Sequence, residues 1–157
     1  MALIPPCAVQ AYATLGEEAY RAELAKGRLK PAARGDQDPL CWLREQVMPL
    51  VLTTLYQGSE YSGSVTYNAA AGLAAELGAT HHAWSIAELV SGYLGLANSL
   101  TPEDPLNWQR DDLALQNIQA RVRAPGIWLL ANRGNKLLIA TSNLSEASVG
   151  YCTMDGD

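Results

Sequence analysis

The stretch that most constrains the fold lies near the carboxyl-terminal end. Leu137-Leu-Ile-Ala140 is a short apolar run with the length and boundaries of a buried strand, and it stops at three small polar residues, Thr141, Ser142 and Asn143. Asn143 and Glu146 then have the spacing of an N-cap and its reciprocal partner, which predicts a helix start. A strand running into a polar loop and a helix N-terminus is where open α/β sheets bind ligands, because unpaired N–H groups there favour anions. The same residues also describe a plain helix cap, and Asp155-Gly156-Asp157 a plain turn. Both readings stand at this point.

Upstream, the same alternation recurs. Pro49–Tyr56 reads as a strand, continuous in its apolar residues and so buried on both faces. It leads into the polar loop Gln57–Gly63 and a helix over Ser64–Leu77, in which Val65, Ala69, Leu73 and Leu77 share one face and Gly78 is the stop. Thr80–Trp84 reads as a further strand, and Ser85 with Glu88 caps a helix running to about Asn98. Strands alternating with helices across short connections predict an α/β fold with a doubly wound parallel sheet.

Ahead of this, Ala8–Lys26 predicts one broken helix, or two meeting near Gly16, with Thr14 and Glu17 as a capping box. Lys26–Asp38 is a polar loop, and Asp38-Pro39 starts a helical piece over Leu40–Gln46. After the polar loop Ser99–Trp108 comes the longest predicted helix, Arg110–Asn132. Pro125-Gly126 sits inside it, where proline deletes the backbone bond to the Arg121 carbonyl and kinks the axis. Asn117 and Arg121 lie four apart just ahead of the break. Such a pair can jointly bind a planar anionic or amide-bearing ligand, and it equally fits a solvated helix face.

At 157 residues the chain is sized for one domain. Its net charge of −5 argues against nucleic acid as a partner. No apolar run approaches the roughly 20 residues that cross a bilayer, and Met1–Pro6 lacks the basic flank of a signal peptide. Three widely spaced cysteines form neither a disulfide framework nor a zinc pattern, so a reduced, cytoplasmic location is expected. His81 and His82, adjacent on a strand, point to opposite faces and cannot hold one metal together. Cys152 has no histidine near it in sequence to make it a nucleophile and reads as a packed residue. Neither G-x-x-x-x-G-K-[ST] nor G-x-G-x-x-G is present.

Three stretches resemble the synthetase domain of glutamine-dependent NAD synthetase, in the ATP pyrophosphatase superfamily. They are Asn117-Ile-Gln-Ala-Arg-Val-Arg-Ala-Pro-Gly-Ile-Trp128, Thr141-Ser-Asn-Leu-Ser-Glu-Ala147 and Val149-Gly-Tyr-Cys-Thr-Met-Asp-Gly-Asp157. Leu52-Thr-Thr-Leu-Tyr-Gln-Gly58 and Asn68-Ala-Ala70 are weaker matches. The resemblance covers about Pro49–Asp157, and Met1–Val47 matches poorly. It implies an adenine nucleotide alpha hydrolase-like sheet and an ATP-dependent amidation of nicotinic acid adenine dinucleotide. The nicotinate carboxylate would be adenylylated and then attacked by ammonia, with Mg²⁺ neutralising the phosphates.

By the resemblance, Thr141 would contact ATP, and Glu146 would serve a shared metal and dinucleotide site. Asp157 would lie near the metals, and Glu146 and Asp157 would be the catalytic and metal residues. Asn117 and Arg121 would meet the dinucleotide, and Tyr151, Cys152, Thr153 and Met154 would line its pyridine end. Met154 stands where the ammonia-only branch has a lysine, which points to the glutamine-dependent branch.

The family's S-G-G-x-D-S ATP loop and its strand are absent from this sequence, as is the glutaminase domain that supplies ammonia. The expectation is therefore a middle piece of a synthetase domain, with an incomplete sheet, no turnover alone, and a tendency to form homo-oligomers. In such a sheet the strands at Pro49–Tyr56 and Lys136–Thr141 would flank a gap. That gap would be closed by direct pairing, by the amino-terminal residues or by another copy. Two other readings remain open, a non-catalytic nucleotide-binding module and another amidating ATP pyrophosphatase such as a GMP synthetase.

Overall fold

The structure is a computed structural model and describes residues 4–139 and Ser148. The chain divides into two compact units, Met1–Tyr56 with Gly63–Ala83, and Gln57–Ser62 with Trp84–Asp157.

In the first unit, helices α1 (Ile4–Leu15) and α2 (Glu17–Lys26) meet at Gly16, whose φ of 75° is a conformation glycine adopts without a Cβ penalty. Thr14 does not cap α2; its hydroxyl donates back to the Gln10 carbonyl within α1. Tyr20, Trp42, Leu43 and Val47 form the core, with Ala11, Tyr12, Leu24 and Val51 packed against it. The Trp42 indole N–H donates to the Ala32 carbonyl at 2.9 Å, and Arg34 pairs with Glu17 at 2.7 Å. These two bonds hold the 27–38 loop against the helices, as a polar connection without its own ladder requires.

Asp38 caps the next helix as its sequence implies, accepting from the Leu40 and Cys41 N–H groups at 3.0 and 3.1 Å. Helix α3 (Pro39–Trp42) continues through a π-wound turn, Leu43–Val47, into α4 (Met48–Val51). Pro49 has no N–H to offer the Glu45 carbonyl, and widening the turn just ahead accommodates that loss. The apolar run expected to be strand from Pro49 is thus helical up to Val51. An unbroken apolar stretch suits a buried helix as well as a buried strand, and here the helix consumes its first three residues.

Strand β1 spans Thr53–Gly58 and β2 spans Thr80–Ser85, and among the described residues they form one two-stranded sheet. The Thr80 N–H donates to Leu52 and the Ile86 N–H to Gly58, at 3.0 and 2.8 Å. The same offset at both ends makes the pair parallel, with α5 (Ser64–Glu76) as the crossover between the strands. This is an α/β fold with a small, incomplete parallel sheet.

On one face, Thr54 bonds the His81 ring at 2.8 Å and the Tyr56 hydroxyl meets the Thr66 hydroxyl at 2.9 Å, while His82 is exposed. The two histidines therefore do diverge. The buried Nε2 of His81 has no hydrogen-bond partner among the described residues.

Three of the four residues of the apolar stripe expected to seat α5, Val65, Ala69 and Leu73, are exposed instead, Val65 by 80% and Leu73 by 59%. The side turned inward is Ala70, Ala71 and Ala74, small residues that let the helix approach closely, and Leu77 of the expected stripe is half-buried just past the helix end.

Beyond the strand ends, the second unit contains α6 (Ala87–Leu100), α7 (Asp112–Arg121) and α8 (Ala124–Arg133). Ser85 accepts from the Ala87 N–H at 3.1 Å at the start of α6. The single long helix expected over Arg110–Asn132 is two helices, broken at Val122-Arg123. Pro125 falls in the first turn of α8, where its missing N–H needs no intrahelical partner. The described part of the expected third strand, Leu137–Ile139, is not in a strand, and Leu137 is 87% exposed. Among the described residues no strand pairs with it, and without a ladder a strand does not form. The rest of that segment, and the Asn143–Glu146 cap, lie outside the described residues. Of the expected ways to close the sheet gap, direct pairing and strand donation by the amino-terminal residues do not occur among the described residues, which are helical over Ile4–Lys26.

Gly78 offers a test of the packing in the first unit. Its φ is 67°, and an added Cβ would stand 2.5 Å from the Arg44 carbonyl oxygen. Gly78→Ala is expected to destabilise the chain by about 1–3 kcal/mol, read as a lowered urea midpoint at unchanged slope.

Candidate functional site

The carboxyl ends of β1 and β2 and the start of α8 meet within the second unit. Gln57, next to last in β1, is the junction. Its side-chain oxygen accepts from the Trp84 indole N–H at 3.0 Å, and its side-chain NH₂ donates to the Arg123 carbonyl at 3.0 Å. Arg123 answers with its own side chain. Its Nε donates to the Gln57 carbonyl at 3.4 Å, and a terminal guanidinium nitrogen donates to the Gln119 carbonyl at 2.7 Å.

The backbone explains why these partners are needed. At the end of α7 the Arg123 N–H turns to Ala120 at 3.3 Å, so Gln119 loses its ordinary helical donor and takes the guanidinium. The Arg123 carbonyl receives only a long bond from Ile127, 3.4 Å, and the Gln57 amide completes it. A guanidinium at a helix C-terminus also opposes the negative end of the helix dipole.

Gly126 makes the close approach possible. A Cβ there would run into the Trp84 ring and come within 3.0 Å of the Gln57 side-chain oxygen. Its φ is not in the left-handed region, so the demand is for space alone.

Asn117 and Arg121 stand on α7, one turn apart, just ahead of this junction. The Asn117 side-chain NH₂ donates to the Leu113 carbonyl at 2.9 Å, folded back on its own helix. Arg121 is exposed and has no hydrogen-bond or ion-pair partner among the described residues. Thr141, Glu146, Tyr151, Cys152, Thr153, Met154 and Asp157 lie outside the described residues. Gln57, Trp84 and Arg123 were not singled out from the sequence as site residues. The signal that leads to them is Pro125-Gly126, a helix break with a glycine that has to be packed against something.

The loop ahead of α7 is ordered by Arg110, which pairs with Asp104 at 2.6 Å and Asp111 at 3.0 Å. Asn107 accepts from the Gln109 and Arg110 N–H groups and donates its own N–H to Asp111. The Arg110 bond, followed by the Asn107 N–H, holds the Asp111 carboxyl below its ordinary value, and the carboxylates in turn raise Arg110. No group of three His, Cys, Asp or Glu side chains able to hold a metal ion occurs among the described residues. No described helix is long and apolar enough to cross a membrane.

The NAD synthase family model matches residues 41–157. Over 116 residues the chain is 34% identical to the glutamine-dependent NAD(+) synthetase of Rattus norvegicus, covering 66% of this chain and 16% of that protein. The crystal structure of a glutamine-dependent NAD(+) synthetase from Cytophaga hutchinsonii superimposes with a TM-score of 0.82 at 37% identity, covering 99% of this chain and 27% of that one. The synthetase from Acinetobacter baumannii in complex with adenosine diphosphate gives a TM-score of 0.56 at 27% identity, over 65% and 18% of the two chains. The chain thus spans a small part of the length of the relatives it matches. Met1–Val47, a poor match in the sequence motifs, falls almost wholly within the Cytophaga superposition.

Two tests follow from this geometry. Gly126→Ala is expected to destabilise by about 1–3 kcal/mol through overpacking against Trp84. Gly92→Ala, inside α6 with open space where the Cβ would go, is expected to stabilise by about 0.4–1 kcal/mol; urea titrations of both variants compare them. The second test is the pH response of the Arg110 loop. Because the Asp111 carboxyl is lowered in the folded chain, its contribution is complete above the ordinary value of 3.8 and disappears as pH falls through the lower folded value. NMR titration of the Asn107 and Arg110 amides is expected to show loosening only in that acid window, and Asp111→Asn is expected to abolish the transition.

Proposed function

Because this chain belongs to the NAD synthase family, we propose that it carries part of a site for ATP-dependent amidation of nicotinic acid adenine dinucleotide to NAD. The observation that carries this reading is the family match over residues 41–157, which takes in the α7–α8 break with Asn117 and Arg121 on its near side.

The chemistry needs a carboxylate to become an acyl donor. The nicotinate carboxylate attacks the α-phosphorus of ATP and pyrophosphate leaves, forming a mixed anhydride with AMP. Ammonia then attacks the carbonyl carbon, AMP departs with the bonding electron pair, and a proton is lost from nitrogen to leave the amide. In this reading the ammonia comes from glutamine hydrolysed elsewhere in the complete protein.

The roles open to this chain's residues are binding and orientation. Arg121, exposed at the end of α7, offers a planar guanidinium fork to the dinucleotide phosphates. Asn117 offers its amide once the bond to Leu113 is exchanged for one to the ligand. Thr141 would contact ATP, and Tyr151, Cys152, Thr153 and Met154 would line the pyridine end. Mg²⁺ would fall to Glu146 and Asp157, where its charge would offset that of the phosphates. The adenosine diphosphate bound by the Acinetobacter protein supports an adenine nucleotide as co-substrate.

The same reading places the protein in the cytoplasm and includes assembly with further copies. Trp128 and Leu129 are exposed on α8, and Leu89, Tyr93, Leu96 and Leu100 share one exposed face of α6.

Isothermal titration calorimetry with nicotinic acid adenine dinucleotide tests the reading. Saturable binding is expected, weakened about ten-fold or more by Arg121→Ala and less by Asn117→Ala, as for loss of a charge-assisted bond against a neutral one. Binding that neither substitution alters, or tighter binding of xanthosine monophosphate than of the dinucleotide, would overturn it.

A further inference from the structure

We propose that Gln57 is a positioning residue for dinucleotide binding, which fixes the α7–α8 break and so the direction in which Asn117 and Arg121 are presented; this rests on the reading of those two residues given above. One amide joins three elements here. Its oxygen holds Trp84 at the end of β2, its NH₂ holds the Arg123 carbonyl at the break, and its own backbone carbonyl receives the Arg123 side chain. The break has little of its own to set its angle. Pro125 supplies no N–H, the Ile127 bond to Arg123 is long, and the Gln119 carbonyl of α7 relies on a guanidinium. An angle not set by intrahelical bonds is set by whatever else holds the break, and Gln57 holds it through both main chain and side chain.

Arg121 is the last residue of α7, two positions before the carbonyl that Gln57 grips. Any rotation about the break therefore moves Arg121 directly. Asn117, one turn earlier on the same helix, moves with it. Leucine at position 57 would keep the bulk but leave the Arg123 carbonyl and the Trp84 indole without their partner, a loss that relaxes the break instead of opening a cavity. Trp84→Phe is the milder probe, since it retains an aromatic ring against Gly126 and removes only the indole N–H.

The experiment is a double-mutant cycle with two readouts. Dinucleotide affinity is measured by calorimetry for the unmodified chain, Gln57→Leu, Arg121→Ala and the double variant. Amide shifts of residues 117–121 are recorded without ligand for the unmodified chain, Gln57→Leu and Trp84→Phe. Gln57→Leu is expected to weaken binding about ten-fold alone and less than two-fold in the Arg121→Ala background, because it acts through Arg121. Its ligand-free spectrum is expected to shift at residues 117–121 and not in α2, and Trp84→Phe is expected to show the same pattern with smaller shifts.

Equal weakening in both backgrounds, or unmoved α7 amides, would overturn the proposal. If Gln57→Leu fails to fold, Trp84→Phe takes its place in both readouts under the same criteria, with about a three-fold effect on binding. If the unmodified chain binds no dinucleotide, the function proposed above and the binding role of Gln57 both fail. The amide shifts then decide by themselves whether Gln57 sets the helix break.

Discussion

A helix that breaks just ahead of a proline has to be held by something other than its own ladder, and in this chain the side chain of Gln57 bonds across that break. Its two amide bonds tie the break to the carboxyl ends of both parallel strands. Everything local to the junction follows from that geometry. Position 126 has to lack a side chain so that Trp84 can lie against the first turn of α8. Arg123 has to turn back along α7 to serve Gln119 and Gln57, which leaves Arg121, two residues earlier, directed to solvent. The separation of the two arginines into one bonded to the protein and one exposed to solvent is a consequence of where the helix stops.

That separation fits the chemistry proposed for the family's substrate. A dinucleotide with a nicotinate carboxylate presents anionic groups at several points, and the reaction requires one of them to be aligned with the α-phosphorus of ATP. Orientation of this kind is worth much of a bimolecular barrier, provided the binding groups are themselves fixed. An exposed arginine on a freely hinged helix would bind without orienting. In the proposed reading, the same arginine on a helix end held by Gln57 does both.

Much of this was legible in the sequence, and the failures have identifiable causes. Asp38-Pro39 was read correctly because capping chemistry is local and depends on residue type. The divergence of His81 and His82 followed from strand periodicity alone. Pro49–Val51 was misread because a continuous apolar run carries no period to separate helix from strand. The face of α5 was misread because alanine scores weakly beside Val65 and Leu73, although close packing favours the small residue. Leu137–Ile139 looked like strand on composition, but a strand exists only where a neighbour offers a ladder, and no local pattern encodes the neighbour. The break at Val122-Arg123 was anticipated as a kink at Pro125-Gly126, a few residues later. What no pattern in the sequence revealed was its partner, since Gln57 and Arg123 are 66 residues apart and meet only in the fold.

Hydrogen–deuterium exchange of the chain with and without nicotinic acid adenine dinucleotide tests the central claim most directly, because it reports where a ligand acts without any substitution. The expected result is slower exchange in the last turns of α7 and across the break to the start of α8, with α1 and α2 unaffected. Protection confined to α1 and α2, with α7 and the break exchanging as in the free chain, would contradict the assignment of this helix end as the place where the dinucleotide is held.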